Sequence, residues 1–233
     1  MGLASDYNIY RDHAAMSCVI HTGGNVLHGA GSLEMKYVSA GGNVAAIRKN
    51  SPRNFVSGRV RFLLSRSLFG SQLTGPRPGF LFNLSAEDVT GSSGTGYLFT
   101  LERTGGNNTY TPTFFRLTAG MNTMTSLVTA TAFVVGLAPT SVPLEATWKL
   151  DVENLGGMSL SCRRGVAANY GGSTLNWATI LTINLITGYI DTGYLSASQG
   201  EGPALRDGGN QVKDAFYFDQ MSVVPLLVGG QTT

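Results

Sequence analysis

Two short runs that alternate apolar with polar residues do most to limit what this chain can fold into. Trp148, Leu150 and Val152 alternate with Lys149, Asp151 and Glu153. After Asn154-Leu155-Gly156-Gly157, the residues Met158, Leu160 and Cys162 alternate with Ser159, Ser161 and Arg163. Alternation of this kind puts one set of side chains against a core and the other in water, which is strand grammar and not helix grammar. The intervening Asn and paired Gly supply positive-φ positions at low steric cost, so the two runs are predicted to form an antiparallel hairpin.

The same grammar recurs along the chain. Residues 15–20 read as a strand, with Thr22-Gly23-Gly24-Asn25 as the turn that follows. Leu33, Met35 and Tyr37 alternate with Glu34 and Lys36, and Val60, Phe62 and Leu64 alternate with their neighbours. Pro76 and Pro78 mark a loop before a strand over residues 79–84, and Gly91-Ser92-Ser93-Gly94-Thr95-Gly96 marks another. Residues 121–137 fit a buried strand or a short helix, and their Thr and Val content favours strand. No capping box opens an apolar run of helical period. An all-β chain of two packed antiparallel sheets follows, with residues 1–14 as an N-terminal extension, 15–225 as one sandwich domain and 226–233 as a tail.

Composition narrows the function classes. Charged residues make up 13% of the 233 residues, well below the roughly 25% usual for globular proteins. The surface is therefore neutral and rich in hydroxyls, which suits packing into assemblies or contact with sugars. A net charge of +2, with its sixteen Lys and Arg scattered, leaves no dense stripe for a phosphate backbone, so nucleic acid is not an expected partner. The most basic segment, residues 48–66, reads as a solvated strand face. Cys18 and Cys162 permit one disulfide but read as free, inert thiols, since Cys is among the most buried residue types. The first residues carry no basic and apolar leader pattern. The longest apolar stretch, 127–137, is too short to span a bilayer, so neither export by a signal peptide nor membrane insertion is expected.

The segments 31–35, 58–62, 96–101, 148–152, Trp177 with the strand after it, and Tyr217-Phe218-Asp219-Gln220-Met221-Ser222-Val223 follow an order of elements that resembles the concanavalin A-like, or laminin G-like, jelly-roll superfamily. That superfamily includes lectins, glucanases and many bacteriophage virion proteins. The resemblance implies an antiparallel jelly-roll sandwich in which a Gly-rich penultimate loop, residues 193–209, precedes a last strand that closes a sheet.

Fold does not give function, so the residues must decide. Retaining glucanases need two carboxyls about 5–5.5 Å apart, and no Glu-x-Asp-x-x-Glu arrangement is present. Glu87 and Asp88 are adjacent and would point to opposite faces if extended, and Asp151 with Glu153 reads as a wet strand face. No nucleophile elbow, phosphate loop or zinc motif occurs. His13, His21 and His28 read as local structural or surface residues. No cofactor is expected. Calcium is the one ion considered, because the fold often binds it, with Asp88, Asp191, Asp207, Asp214 and Asp219 as oxygen donors that share no EF-hand spacing. Sugar binding needs an aromatic platform beside amides and carboxylates, and Trp177, Tyr194, Tyr189, Asn176 and Asp191, with Tyr170 and Asn169 nearby, are the candidates.

The leading expectation is a non-enzymatic bacteriophage virion protein, a tail or baseplate appendage or a capsid decoration on the particle exterior, made in the host cytoplasm and homo-oligomeric. Val224, Leu226, Leu227 and Val228 are its candidate contacts with other virion subunits. The alternative is a lectin-like module for host surface glycans, and a glycoside hydrolase of the same fold stands third.

Overall fold

The computed structural model describes residues 6–22, 31–37, 42–48, 57–66, 77–105, 109–129, 133–134, 141–151, 157–165, 177–187, 200–207 and 215–225. These residues form strands and no helix. In chain order the strands are β1 (Tyr7–Arg11), β2 (Met16–His21), β3 (Ser32–Tyr37), β4 (Gly42–Arg48), β5 (Ser57–Arg66), β6 (Arg77–Phe82), β7 (Gly96–Gly105) and β8 (Thr109–Ala119). They continue as β9 (Thr123–Thr129), β10 (Phe133–Val134), β11 (Ser141–Asp151), β12 (Gly157–Gly165), β13 (Trp177–Thr187), β14 (Gly202–Asp207) and β15 (Ala215–Pro225).

Two antiparallel sheets result. The first runs β1-β4-β14-β6-β7-β8-β10, with β9 also paired to β8, and the second runs β13-β12-β11-β5-β15-β3-β2. The predicted hairpin is β11–β12, in which Trp148 pairs with Leu160 and Leu150 with Met158. Residues 121–137 hold β9 and β10, as their Thr and Val content favoured.

Two details differ from the expectations set by the sequence. Residues 7–11, placed in an extension, form β1 and pair with β4 at the edge of the first sheet. The Gly-rich segment 193–209 contains β14, which lies between β4 and β6. The last of the described strands, β15, completes the second sheet, where it lies between β5 and β3.

The inner strands of the first sheet, β4, β14 and β6, are buried on both faces, which explains why they lack alternation. On one face Ala45, Ile47, Ala204, Leu81, Leu98, Phe115 and Leu117 pack with Leu84, Val89 and Met121 of the overlying loops. The register places Val44, Ala46, Phe80, Phe82, Tyr97, Phe99 and Phe114 on the other face, all buried. There Phe82 stacks on Tyr97 at 5.6 Å between ring centroids, and Phe99 lies 5.0 Å from Phe114. The second sheet turns Leu33, Met35, Phe216 and Phe218 to a common buried face by register. Its other face carries Glu34, bridged by His21 Nδ1 at 3.2 Å and Lys36 Nζ at 3.0 Å. His21 also packs on the Tyr217 ring at 4.9 Å, so this histidine has the structural role expected of it.

β14 escaped the sequence reading because its fit depends on glycine and not on alternation. A Cβ on Gly202 would sit 1.8 Å from the Ala46 carbonyl oxygen, a backbone atom that cannot swing aside. Gly202→Ala is therefore expected to cost at least the roughly 1–3 kcal/mol typical of overpacking. Gly91→Ala, where a Cβ meets nothing within 4 Å, is expected to be close to neutral. Denaturant unfolding of both variants checks the contrast.

Cys18 and Cys162 sit on β2 and β12, five strand spacings apart in one sheet, or roughly 24 Å at about 4.8 Å per step, far beyond disulfide reach. Cys18 is a free thiol. Burial pushes its pKa up to about 12, against a smaller opposing effect of the Arg11 charge. Its native form therefore holds the proton after the unfolded form has lost it. The stability this contributes is complete below the ordinary thiol pKa and is lost as pH rises from about 9 toward 12. Iodoacetamide labelling at pH 8 is expected to modify Cys18 slowly in the native protein and fast in urea.

Candidate functional site

Three connections gather over the outer face of the first sheet: the β1–β2 turn, the long loop between β6 and β7, and the β8–β9 turn. The β6–β7 loop closes its own neck, with Ser85 N donating to Thr95 O at 3.0 Å and Thr95 N to Ser85 Oγ at 2.8 Å. Asp88 forms an Asx turn, accepting from Thr90 N at 3.0 Å and Thr90 Oγ1 at 2.7 Å. The β8–β9 turn docks on this loop by backbone bonds, Gly120 N to Gly94 O at 2.7 Å and Met121 N to Val89 O at 2.7 Å. Gly120 is required there, because its φ is +65° and a Cβ would lie 2.2 Å from Gly91 O.

The β1–β2 turn joins through Asp12. Its Oδ1 accepts from Asn43 N at 2.6 Å and its Oδ2 from Asn43 Nδ2 at 2.7 Å. Asn43 is held in place by the ladder, since it pairs with Arg206 and shares a sheet face with Ala45 and Ile47.

Beside this junction, β1 brings an aromatic, an amide and a carboxylate together. Asn8 and Tyr10 are two residues apart on an extended strand and so share a face, by register that of Ile47 and Ala45. The Tyr10 hydroxyl and Asn8 Nδ2, the latter at 3.0 Å, both donate to Glu87 Oε2. The Tyr10 ring rests against the apolar cluster beneath the loops. These two bonds, Tyr10 first, hold the Glu87 carboxyl below its ordinary pKa, against a smaller desolvation effect. The Glu87 bond is likewise the main reason the Tyr10 pKa is raised. Oε1 has no protein donor among the described residues. The trio thus offers a carboxylate oxygen and a polar-edged ring, partly open to water, on rigid backbone.

This cluster was not legible from spacing. Glu87 and Asp88 do not lie on a strand; they sit in the β6–β7 loop, where Glu87 turns to β1 and Asp88 to Thr90. The signals present were the Asn8, Tyr10 pair at a separation of two and the Asp88-Val89-Thr90 Asx-turn pattern. Of the expected sugar contacts, Trp177 begins β13, paired with Gly165 at the edge of the second sheet opposite β2. Tyr189, Tyr194, Asn176, Asp191, Tyr170 and Asn169 lie outside the described residues. Val224 lies within β15, paired with Arg59, whereas Leu226, Leu227 and Val228 lie outside the described residues. Among the described residues no group of three or more His, Cys, Asp or Glu is placed to hold a metal ion. Asp88 is engaged by Thr90, Asp219 is buried on β15, Asp207 ends β14, and Asp191 and Asp214 lie outside the described residues.

The fold is a concanavalin A-like two-sheet sandwich, and its likeness is to legume lectin-like domains. A legume lectin-like domain from Entamoeba histolytica matches over 96% of this chain and 91% of its own length, with a TM-score of 0.58 and 10% identity. The VIP36 exoplasmic/lumenal domain, solved with Ca2+ and Man3GlcNAc, matches over 97% and 88% with a TM-score of 0.51 and 12% identity. The carbohydrate recognition domain of Emp46p in a potassium-bound form matches over 97% and 91% with a TM-score of 0.51 and 12% identity. No protein-family model and no curated protein sequence matches the chain.

Replacing Tyr10 with Phe removes the larger of the two bonds to Glu87 and is expected to raise the Glu87 pKa toward the ordinary carboxylate range. The stability that the ionised carboxylate contributes is present above that range and lost as pH falls through the native pKa, so Tyr10→Phe should reduce it. Carboxyl-carbon NMR titration of both proteins checks the shift.

Proposed function

We propose that this chain is a carbohydrate-binding module, and that its glycan contacts centre on Tyr10, Asn8 and Glu87 at the β6–β7 loop. The observation that carries this reading is the Glu87 carboxylate, ionised by its two donors and left with Oε1 to accept from a sugar hydroxyl beside the Tyr10 ring. Charge-assisted bonds of this kind are the stronger polar contacts in a site. Support comes from the fold: the VIP36 domain was solved with Man3GlcNAc bound, and the Emp46p domain is a carbohydrate recognition domain. The low charge of the chain keeps desolvation cheap on contact with a neutral glycan.

A glycan array followed by calorimetry tests the reading. Glu87→Gln and Tyr10→Ala are each expected to weaken the best ligand at least tenfold, or about 1.4 kcal/mol. Trp177→Ala, on the far edge of the other sheet, is expected to bind as wild type. Unchanged affinity in both of the first two variants would remove the site.

A second reading, a non-enzymatic virion component held by protein–protein contacts, has one observation in its favour. Ile9, Val19 and Ile20 on β1 and β2 are 42%, 49% and 38% exposed, an apolar set on two edge strands joined by one short turn. Removal of residues 226–233 spares β15, since its pairing ends at Pro225. If the apolar tail joins subunits, that truncation lowers the oligomer mass seen by light scattering and leaves the melting temperature unchanged. An unaltered mass counts against the tail as a contact.

A further inference from the structure

Asn43, the second residue of β4, has only 1% of its surface exposed. Its Nδ2 lies 2.7 Å from Asp12 Oδ2, 2.8 Å from Thr90 O and 2.8 Å from Asn122 Oδ1. A primary amide has two protons, so three acceptors around one nitrogen are more than it can satisfy. Its own Oδ1 is buried without a donor. A carboxylate, a backbone carbonyl and an amide oxygen converging on one point are the donor types that a hard cation takes. Here the positive end of a neutral amide fills that point, and each of the three oxygens comes from a different connection: the β1–β2 turn, the β6–β7 loop and the β8–β9 turn.

Two of the fold neighbours were solved with Ca2+ or potassium. The residues of this cluster do not fit a divalent ion. Asp12 is its one carboxylate, and both of its oxygens already accept from Asn43. The nearby Asp88 Oδ1 is taken by Thr90. We propose that Asn43 is the positioning residue of the loop platform, an amide that gathers the three connections and holds the Tyr10–Glu87 site in shape without a divalent cation. The consequence for binding rests on the glycan reading; the consequence for loop order does not.

Hydrogen exchange read by mass spectrometry separates the two. In the wild-type protein, EDTA is expected to leave protection of segments 85–95 and 119–124 unchanged. Asn43→Ala is expected to speed exchange in both segments at least tenfold while β3 and β15 keep their protection. Asn43→Asp sets a second carboxylate against Asp12, so it should loosen the same segments in EDTA and regain protection in millimolar CaCl2, a rescue that general destabilisation would not produce. Should Asn43→Ala fail to fold, Asn122→Ala, at an exposed position, is expected to loosen 119–124 alone. Loop exchange that rises when EDTA is added to wild type would show that an ion holds the platform and would overturn the proposal. Unchanged exchange in Asn43→Ala, or no calcium rescue of Asn43→Asp, would do the same. If exchange behaves as expected and no glycan binds, the clamp stands and the carbohydrate reading falls.

Discussion

Burial of the inner strands of the first sheet on both faces is the constraint on which the rest of the molecule depends. A sheet that faces water on one side can be written as alternating apolar and polar residues, but this one needs apolar side chains at consecutive positions, as in Phe80-Leu81-Phe82 and Val44-Ala45-Ala46-Ile47. One face is covered by the second sheet. The other has no third sheet to cover it, and loops serve instead through Leu84, Val89 and Met121. Loops that bury apolar side chains must settle their own backbone groups, which is why these bond to one another across the β6–β7 and β8–β9 connections.

That requirement couples stability to recognition. Loops in general are mobile, whereas these are fastened from below by packing and from the side by Asn43, so the groups they carry are presented on a fixed frame. Tyr10 illustrates the link directly: its ring belongs to the covered core and its hydroxyl to the polar cluster with Glu87. Such a site loses little order on binding, which is the main entropic advantage a rigid scaffold has over a flexible one.

The period-two signal marks strands of the second sheet more clearly than those of the first, for a physical reason. Leu33 and Met35 against Glu34 and Lys36, or Trp148 and Leu150 against Lys149 and Asp151, carry the period-two signal because those strands were written with two kinds of face. β14 has a small-residue start, Gly202-Pro203-Ala204, suited to close strand approach, and so it vanished into a Gly-rich stretch. β1 is short and mixed, with both aromatic and charged residues, and looked like an extension. The candidate site was hidden by distance along the chain: Asn8 and Tyr10 meet Glu87 across 79 and 77 residues, and Asn43 meets Asn122 across 79. No local pattern records contacts of that span. Trp177, chosen because aromatics bind sugars, belongs to the opposite edge of the other sheet.

The places of β14 and β15 bear on how the chain is made. Each is an interior strand, β14 between β4 and β6 and β15 between β5 and β3, yet both come from the final stretch of sequence. As the polypeptide leaves the ribosome, β4 and β6 must wait with unfilled ladders, and β3 and β5 likewise, until more than two hundred residues have been joined. Closure of such distant pairings is slow, and the waiting strands are bare templates for any neighbouring chain. Production of this protein is thus a race between translation of its last strands and self-association of nascent chains, and slower growth at lower temperature shifts that race toward the native sandwich.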